Sequence, residues 1–168
     1  MNRILQITFI SVITFLGFST AAQAQLTTQH AIGARFGSAT GITYRYTLSP
    51  DRAIEGIMSV QSNSKSSRFR LVGLYQYHKP LIDDLSWFWG FGGSVGSYTG
   101  KAYTDANGKR FDKYSELALS IDGIAGLEYK IPSAPIAITL DAKPYFDFLQ
   151  ESGFRIVDGL GFSVRYTF

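Results

Sequence analysis

Side chains able to do chemistry are few in this chain and stand far apart. Histidine is the usual general base near neutral pH, and there are two, His30 and His78. Asp83 and Asp84 are adjacent, and Asp141 and Asp147 share one segment, which makes them carboxylate candidates by count alone. Hydrolysis or transfer of an acyl group needs a nucleophile or an activated water held beside a base. His30 opens a strand-like run and His78 adjoins a turn-like one, so neither marks such a centre. There is no cysteine, which excludes thiolate metal ligands, a cysteine nucleophile and disulfides. No catalytic residue, metal ligand or cofactor-binding residue is assigned, and no cofactor is expected.

Two glycine-bearing stretches mimic ligand loops. "GFGGSVG", residues 90–96, lacks the Lys-Ser/Thr ending and the following helix that a phosphate loop requires. "DANGKRFD", residues 105–112, offers Asp105, Asn107 and Asp112 but neither the spacing nor the closing Glu of a calcium loop. Asn107-Gly108 reads instead as a two-residue hairpin turn. It predicts a projecting ribbon whose Tyr103, Asn107, Gly108 and Phe111 form a possible surface contact, with a solvated loop as the alternative.

The elements that must carry these residues follow from alternation. In "GLGFSVRYTF", residues 159–168, Leu160, Phe162, Val164, Tyr166 and Phe168 alternate with Gly161, Ser163, Arg165 and Thr167. Side chains alternate faces along a strand, so one face is wholly apolar. The same period runs through "HAIGARFG", "GITYRYTL", "AIEGIMSVQS", "LSWFWGFGGSVGSYTG", "YSELALSIDGIAGLEYKI" and "IAITLDAKPYFDF", separated by turn chemistry. "RFRLVGLYQYH" is apolar in both phases; setting its tyrosines outward turns Arg70, Gln76 and His78 to the polar face. About eight strands result, with no helix among them.

Alternation alone fits a soluble barrel with an apolar core or a transmembrane barrel with a polar interior. Three observations favour the second. Gly33, Gly37, Gly90, Gly92, Gly96, Gly126, Gly159 and Gly161 share the polar face, and glycine weakens a solvent-facing strand but gives room in a crowded lumen. That face also carries both signs of charge: Arg35, Arg45, Lys143 and Arg165 with Glu55, Asp122, Glu128 and Asp141. In a closed lumen these must pair. Tyr75, Tyr77, Trp87, Trp89, Tyr129, Tyr166 and Phe168 lie near one set of turns, as aromatics at a lipid interface do. The expected fold is therefore all-β: a closed, antiparallel, up-and-down transmembrane β-barrel of about eight strands.

The first residues agree. Arg3, an apolar run from Ile4 to Phe18 and Ala22-Gln23-Ala24 have the layout of a secretory signal peptide, giving residues 1–24 as signal and 25–168 as one barrel domain. With 16 Lys+Arg against 13 Asp+Glu, the net charge of +3 is too balanced to indicate nucleic acid.

The signal-like start and the terminal "VRYTF" resemble Gram-negative outer-membrane proteins, and "GLYQYHKPL", "LSWFWGFGGSVG", "IDGIAGLEYKI" and "GFSVRYTF" resemble the small outer-membrane β-barrels of the Bacteroidetes type, with an OmpX-like architecture. The likeness implies export to the outer membrane and contact with its lipid. It also implies recognition of the terminal strand and Phe168 by the barrel-assembly machinery. A monomer is expected. It carries no catalytic or ligand motif. The role expected is non-enzymatic, structural or surface-interacting and at most porin-like; the alternatives are an outer-leaflet lipid-modifying enzyme and a narrow solute channel.

Overall fold

The computed structural model describes residues 26, 28–63, 66–100, 103–104, 110–111, 114–148, 153–155 and 160–168. The signal-like segment, Gly159, Asn107 and Gly108 lie outside them. Among the described residues every regular element is a strand. They run β1 (His30–Gly37), β2 (Thr40–Ser49), β3 (Arg52–Ser62), β4 (Ser66–Ile82), β5 (Leu85–Gly100), β6 (Tyr103–Thr104), β7 (Arg110–Phe111), β8 (Tyr114–Lys130), β9 (Ile136–Ala142), β10 (Tyr145–Asp147), β11 (Gly153–Arg155) and β12 (Leu160–Thr167).

Antiparallel pairing closes them into a ring of eight staves. β1 pairs with β2, β2 with β3, β3 with β4, β4 with β5, β5 with β8 and β8 with β9, while β12 lies between β9 and β1. β9 and β10 are one stave: Ala142 faces Ala125 and Tyr145 faces Asp122 with no slip of register between them. Pro144 has no N–H to give the ladder, so the strand is interrupted there. Its carbonyl still accepts from Gly123 N at 2.9 Å.

The connections differ at the two ends. Where the termini lie, Pro50-Asp51 and Asp83-Asp84 suffice for two of the three turns, because the ladders run on through Arg52 and Ile82. In the first, Ser49 Oγ donates to Asp51 at 2.7 Å, holding that carboxyl below its usual pKa. At the opposite end β6 and β7 pair beyond the barrel, Tyr103 with Phe111 and Thr104 with Arg110. Five residues separate Thr104 from Arg110. A two-residue turn on Asn107-Gly108 would need an even number, so this register departs from the plain two-residue hairpin.

The apolar face points outward around the whole circumference. Phe91, Ile121, Leu140 and Phe162 are all exposed, as are Ile32, Met58, Leu71 and Leu127 from other staves. Arg45, Glu55, Asp122, Glu128 and Arg165 are at most 1% exposed inside. The interior is not polar throughout, however. Ile57, Val72, Leu74, Phe88 and Ile124 form an apolar cluster within the lumen. This is why β4 is apolar in both phases: Leu71 faces out, whereas Val72 and Leu74 join Phe88 and Ile124 of the next two staves in the luminal cluster.

The glycines on the inner face have a different role from the one expected. A Cβ at Gly33, Gly90, Gly92, Gly96 or Gly126 would collide first with the backbone of the adjacent strand, whereas at Gly161 the obstacle is a luminal side chain, the Arg35 guanidinium. Glycine here permits close strand approach more than it empties the lumen. Gly37, at φ 127°, enters the β1–β2 turn in a conformation that favours glycine.

Neighbouring glycines supply a direct test. A methyl at Gly92 meets the carbonyl of Gly73, whereas one at Gly73 meets nothing within 4 Å. Gly92→Ala is expected to lose about 1–3 kcal/mol. Gly73→Ala should be neutral, or gain up to ~1 kcal/mol by restricting the unfolded chain. Urea titrations in detergent micelles, followed by tryptophan fluorescence, measure both. Equal losses would refute the close-approach reading.

Candidate functional site

Two constellations are built by the barrel: a luminal charge network and an aromatic girdle. The network begins with residues that alternation turns inward. Numbering the staves around the ring, β2 and β8 are diametrically opposed, and Arg45 of β2 reaches Glu128 of β8 across the full width. Arg165 of β12 donates to Glu55 of β3, lies 3.6 Å from Glu128 and donates to Thr139 Oγ1 at 3.2 Å. Thr43 and Gln76 also donate to Glu55. Two arginines and two glutamates, all buried, thus cross-brace four staves at one level.

The next level holds Arg35 and Asp141 in a bidentate pair, at 2.7 and 2.6 Å. Beyond it, toward the end opposite the termini, Lys143 donates to Asp122 at 2.8 Å. Arg70 lies 3.4 Å from Asp122 and 3.9 Å from Asp147, and donates to Ser94 Oγ at 2.6 Å and to Ser120. Arg68 donates to the Tyr145 hydroxyl and sits 5.4 Å from the centre of the Tyr98 ring.

All eight charges singled out in the sequence, Arg35, Arg45, Glu55, Asp122, Glu128, Asp141, Lys143 and Arg165, therefore lie inside the barrel and contact one another in three groups. Sequence reading did not include Arg68, Arg70, Tyr145 and Asp147 in this network. The signal was available, since Arg68 and Arg70 share the phase of Gln76, and Tyr145 and Asp147 that of Asp141. His78 is buried against Phe88 with ring centroids 5.1 Å apart, and its Nε2 lies 3.3 Å from Gln76 Oε1.

The girdle surrounds the end that bears the termini. Tyr77 stacks on Trp89 at 4.6 Å and meets Tyr75 edge-on at 5.2 Å, with Arg52 over the Tyr77 ring. Trp87 faces Leu127, and Tyr129 faces Leu85 in the β5–β8 ladder. On the far side Phe168 stacks on His30 at 5.4 Å and on Tyr166 at 5.9 Å. His30 joins this group, its Nδ1 2.8 Å from the Tyr44 hydroxyl and its ring 5.3 Å from Tyr46. Tyr44, Tyr46 and His30 were not among the expected interface aromatics, although their phase and distance from the Pro50 turn mark them. Phe168 is tied in by two ladder bonds, His30 N to its carbonyl at 2.9 Å and its own N–H to His30 O at 2.8 Å.

No protein-family model and no curated protein sequence matches this chain. Solved structures do. The N-terminal β-barrel domain of Pseudomonas aeruginosa OprF superposes with a TM-score of 0.61 at 14% identity, over 83% of this chain and 94% of that one. Neisserial surface protein A superposes with a TM-score of 0.56 at 13% identity, over 83% and 93%. At such identities the likeness is one of fold: the closed eight-stranded, up-and-down antiparallel barrel.

The diametric pair makes a measurable claim. Removing one partner of a buried ion pair strands the other and costs about 3–5 kcal/mol, whereas replacing both by apolar groups of similar volume is near neutral. Glu128→Leu should be destabilised by roughly that amount, and the double variant Arg45→Met/Glu128→Leu should recover much of it. A double-mutant cycle by urea titration reads the coupling. Strictly additive losses would mean that the two charges do not depend on each other.

Proposed function

We propose that this chain is a monomeric integral outer-membrane β-barrel protein of the small-barrel class that its sequence resembles, the Bacteroidetes type. It is a non-enzymatic membrane-embedded scaffold that presents its long connections to a surface partner. One observation carries the reading: apolar side chains face outward on every stave, while Arg45, Glu55, Asp122, Glu128 and Arg165 are shut inside. Water would be the wrong solvent for that exterior, since soluble barrels place the apolar face inward. Lipid suits it, and a closed barrel leaves no unpaired strand edge in the hydrocarbon.

The girdle supports an orientation. Tyr, Trp and His rings gathered at the end with short turns suit the headgroup level, and short turns face the periplasm in barrels of this class. The 103–111 hairpin then projects outside the cell, where it is the proposed contact surface. Residues 1–24 act as the export signal. Phe168, laddered to His30 and exposed on the lipid side, is the proposed handle for the assembly machinery. A scaffold rather than a channel is favoured because the Arg45–Glu128 pair bridges the whole lumen.

The same geometry sets an energetic expectation. Phe162 lies four residues up β12 from Tyr166, about 13 Å along the strand or about 10 Å of depth once it is tilted, and so near the midplane of a ~25 Å apolar band. Phe162→Arg should cost roughly 2–4 kcal/mol in lipid vesicles, and Phe162→Leu should cost far less. Indistinguishable refolding titrations for the two would sink the lipid assignment. Compartment and closure are tested by fractionation and gel mobility. Recovery in carbonate-washed outer membranes, with faster migration in SDS before boiling than after, is expected. A soluble periplasmic protein without a mobility shift would overturn the proposal.

A further inference from the structure

The luminal charges balance in the group around Arg45 and Glu128 but not beyond it. At the end opposite the termini, Arg35, Arg68, Arg70 and Lys143 face three carboxylates, Asp122, Asp141 and Asp147. Those carboxylates hold Arg35, Arg70 and Lys143 from behind. Among the described residues Arg68 makes no ion pair with a carboxylate; it is 8% exposed, and its Nε has no hydrogen-bond partner among them. The four cations line a small cavity of about 30 Å³ with Ser59 and Tyr145, and no carboxylate lines it among the described residues.

The Tyr145 ring takes the place an acid would hold. Arg70 lies 3.9 Å from its centre, Lys143 5.4 Å and Arg68 5.8 Å. A π-face attracts a cation far more weakly than a carboxylate does. Arg70 and Lys143 are offset by Asp122 and Asp147, whereas Arg68 meets only the Tyr145 ring and hydroxyl, in a setting where buried charge is expensive. The cavity exceeds the ~10–15 Å³ that one water needs, yet it suits only a single compact group. Guanidinium forks match the oxygens of a tetrahedral oxyanion.

We propose that this cavity is an oxyanion site, taking one phosphate or sulfate group, either free or as the end of a larger molecule, through Arg68 with Arg35, Arg70 and Lys143. It depends on the barrel interior alone, so it stands or falls separately from the membrane assignment.

Calorimetric titration of the detergent-solubilised protein with inorganic phosphate tests it, with a parallel arm using mixed micelles that contain phosphatidic acid. Saturable one-site binding that sulfate displaces is expected. Arg68→Gln should weaken it about ten-fold or more, because a charge-assisted bond is lost. Arg52→Gln, outside the lumen, should leave it unchanged. Ser59→Glu is the second variant: Ser59 stands opposite Arg70 in the β3–β4 register, so the added carboxylate would fill the place of the ligand and abolish binding without unfolding the barrel. Binding in the phosphatidic acid arm alone would identify a lipid-borne phosphate as the occupant, and binding of inorganic phosphate would admit free ions as well. No saturable binding in either arm, or binding equally strong in Ser59→Glu, would overturn the site.

Discussion

Everything in this molecule depends on β12 pairing on both of its edges. With β1 on one side and β9 on the other, the terminal strand turns an open sheet into a cylinder. Closure removes the last free row of backbone donors and acceptors, and it fixes which side of every strand is inside. It also fixes the width: eight strands enclose a space that side chains fill. The doubly bonded Phe168–His30 ladder shows how completely the seam is used, since the chain is held to its final residue.

A lumen of that width, filled by side chains, makes charge pairing necessary. The response is to tie opposite walls together. Arg45 with Glu128, Arg165 with Glu55 and Arg70 with Asp147 each join staves that are not neighbours in the sheet, while Lys143 with Asp122 joins adjacent ones. Such pairs are weak sources of net stability but severe penalties when half removed. Their structural effect is specificity of shape: a collapsed or slipped barrel would strand several charges at once. The apolar cluster of Ile57, Val72, Leu74, Phe88 and Ile124 fills the β3–β8 side, so the network need brace only the remainder.

The two surfaces then meet different requirements. Outside, shape matters little and apolarity is everything, so Phe, Leu, Ile and Val interchange along the staves. Inside, volume and charge are both constrained. The inner glycines belong to this second problem, where strand-to-strand approach at Gly33, Gly92 and Gly126 leaves no room for a Cβ. Around Tyr145, among the described residues, that inner rule is relaxed: four cations face three carboxylates.

Much of this was legible in the chain itself. Strict period-two patterning determined eight staves, the inward phase of Arg35, Arg45, Glu55 and Asp141, and the outward phase of Leu140 and Phe162, because a strand allows only two faces. Even Arg68 and Tyr145 could have been assigned by phase. Local pattern could not show which inward residues meet, since Arg45 and Glu128 lie 83 residues apart and are brought together only by ring closure and stagger. Nor could it show that Val72 and Leu74 face a luminal apolar cluster, or that Arg68 stands over the rings of Tyr98 and Tyr145. Those are properties of the enclosed volume, and only the closed barrel creates it.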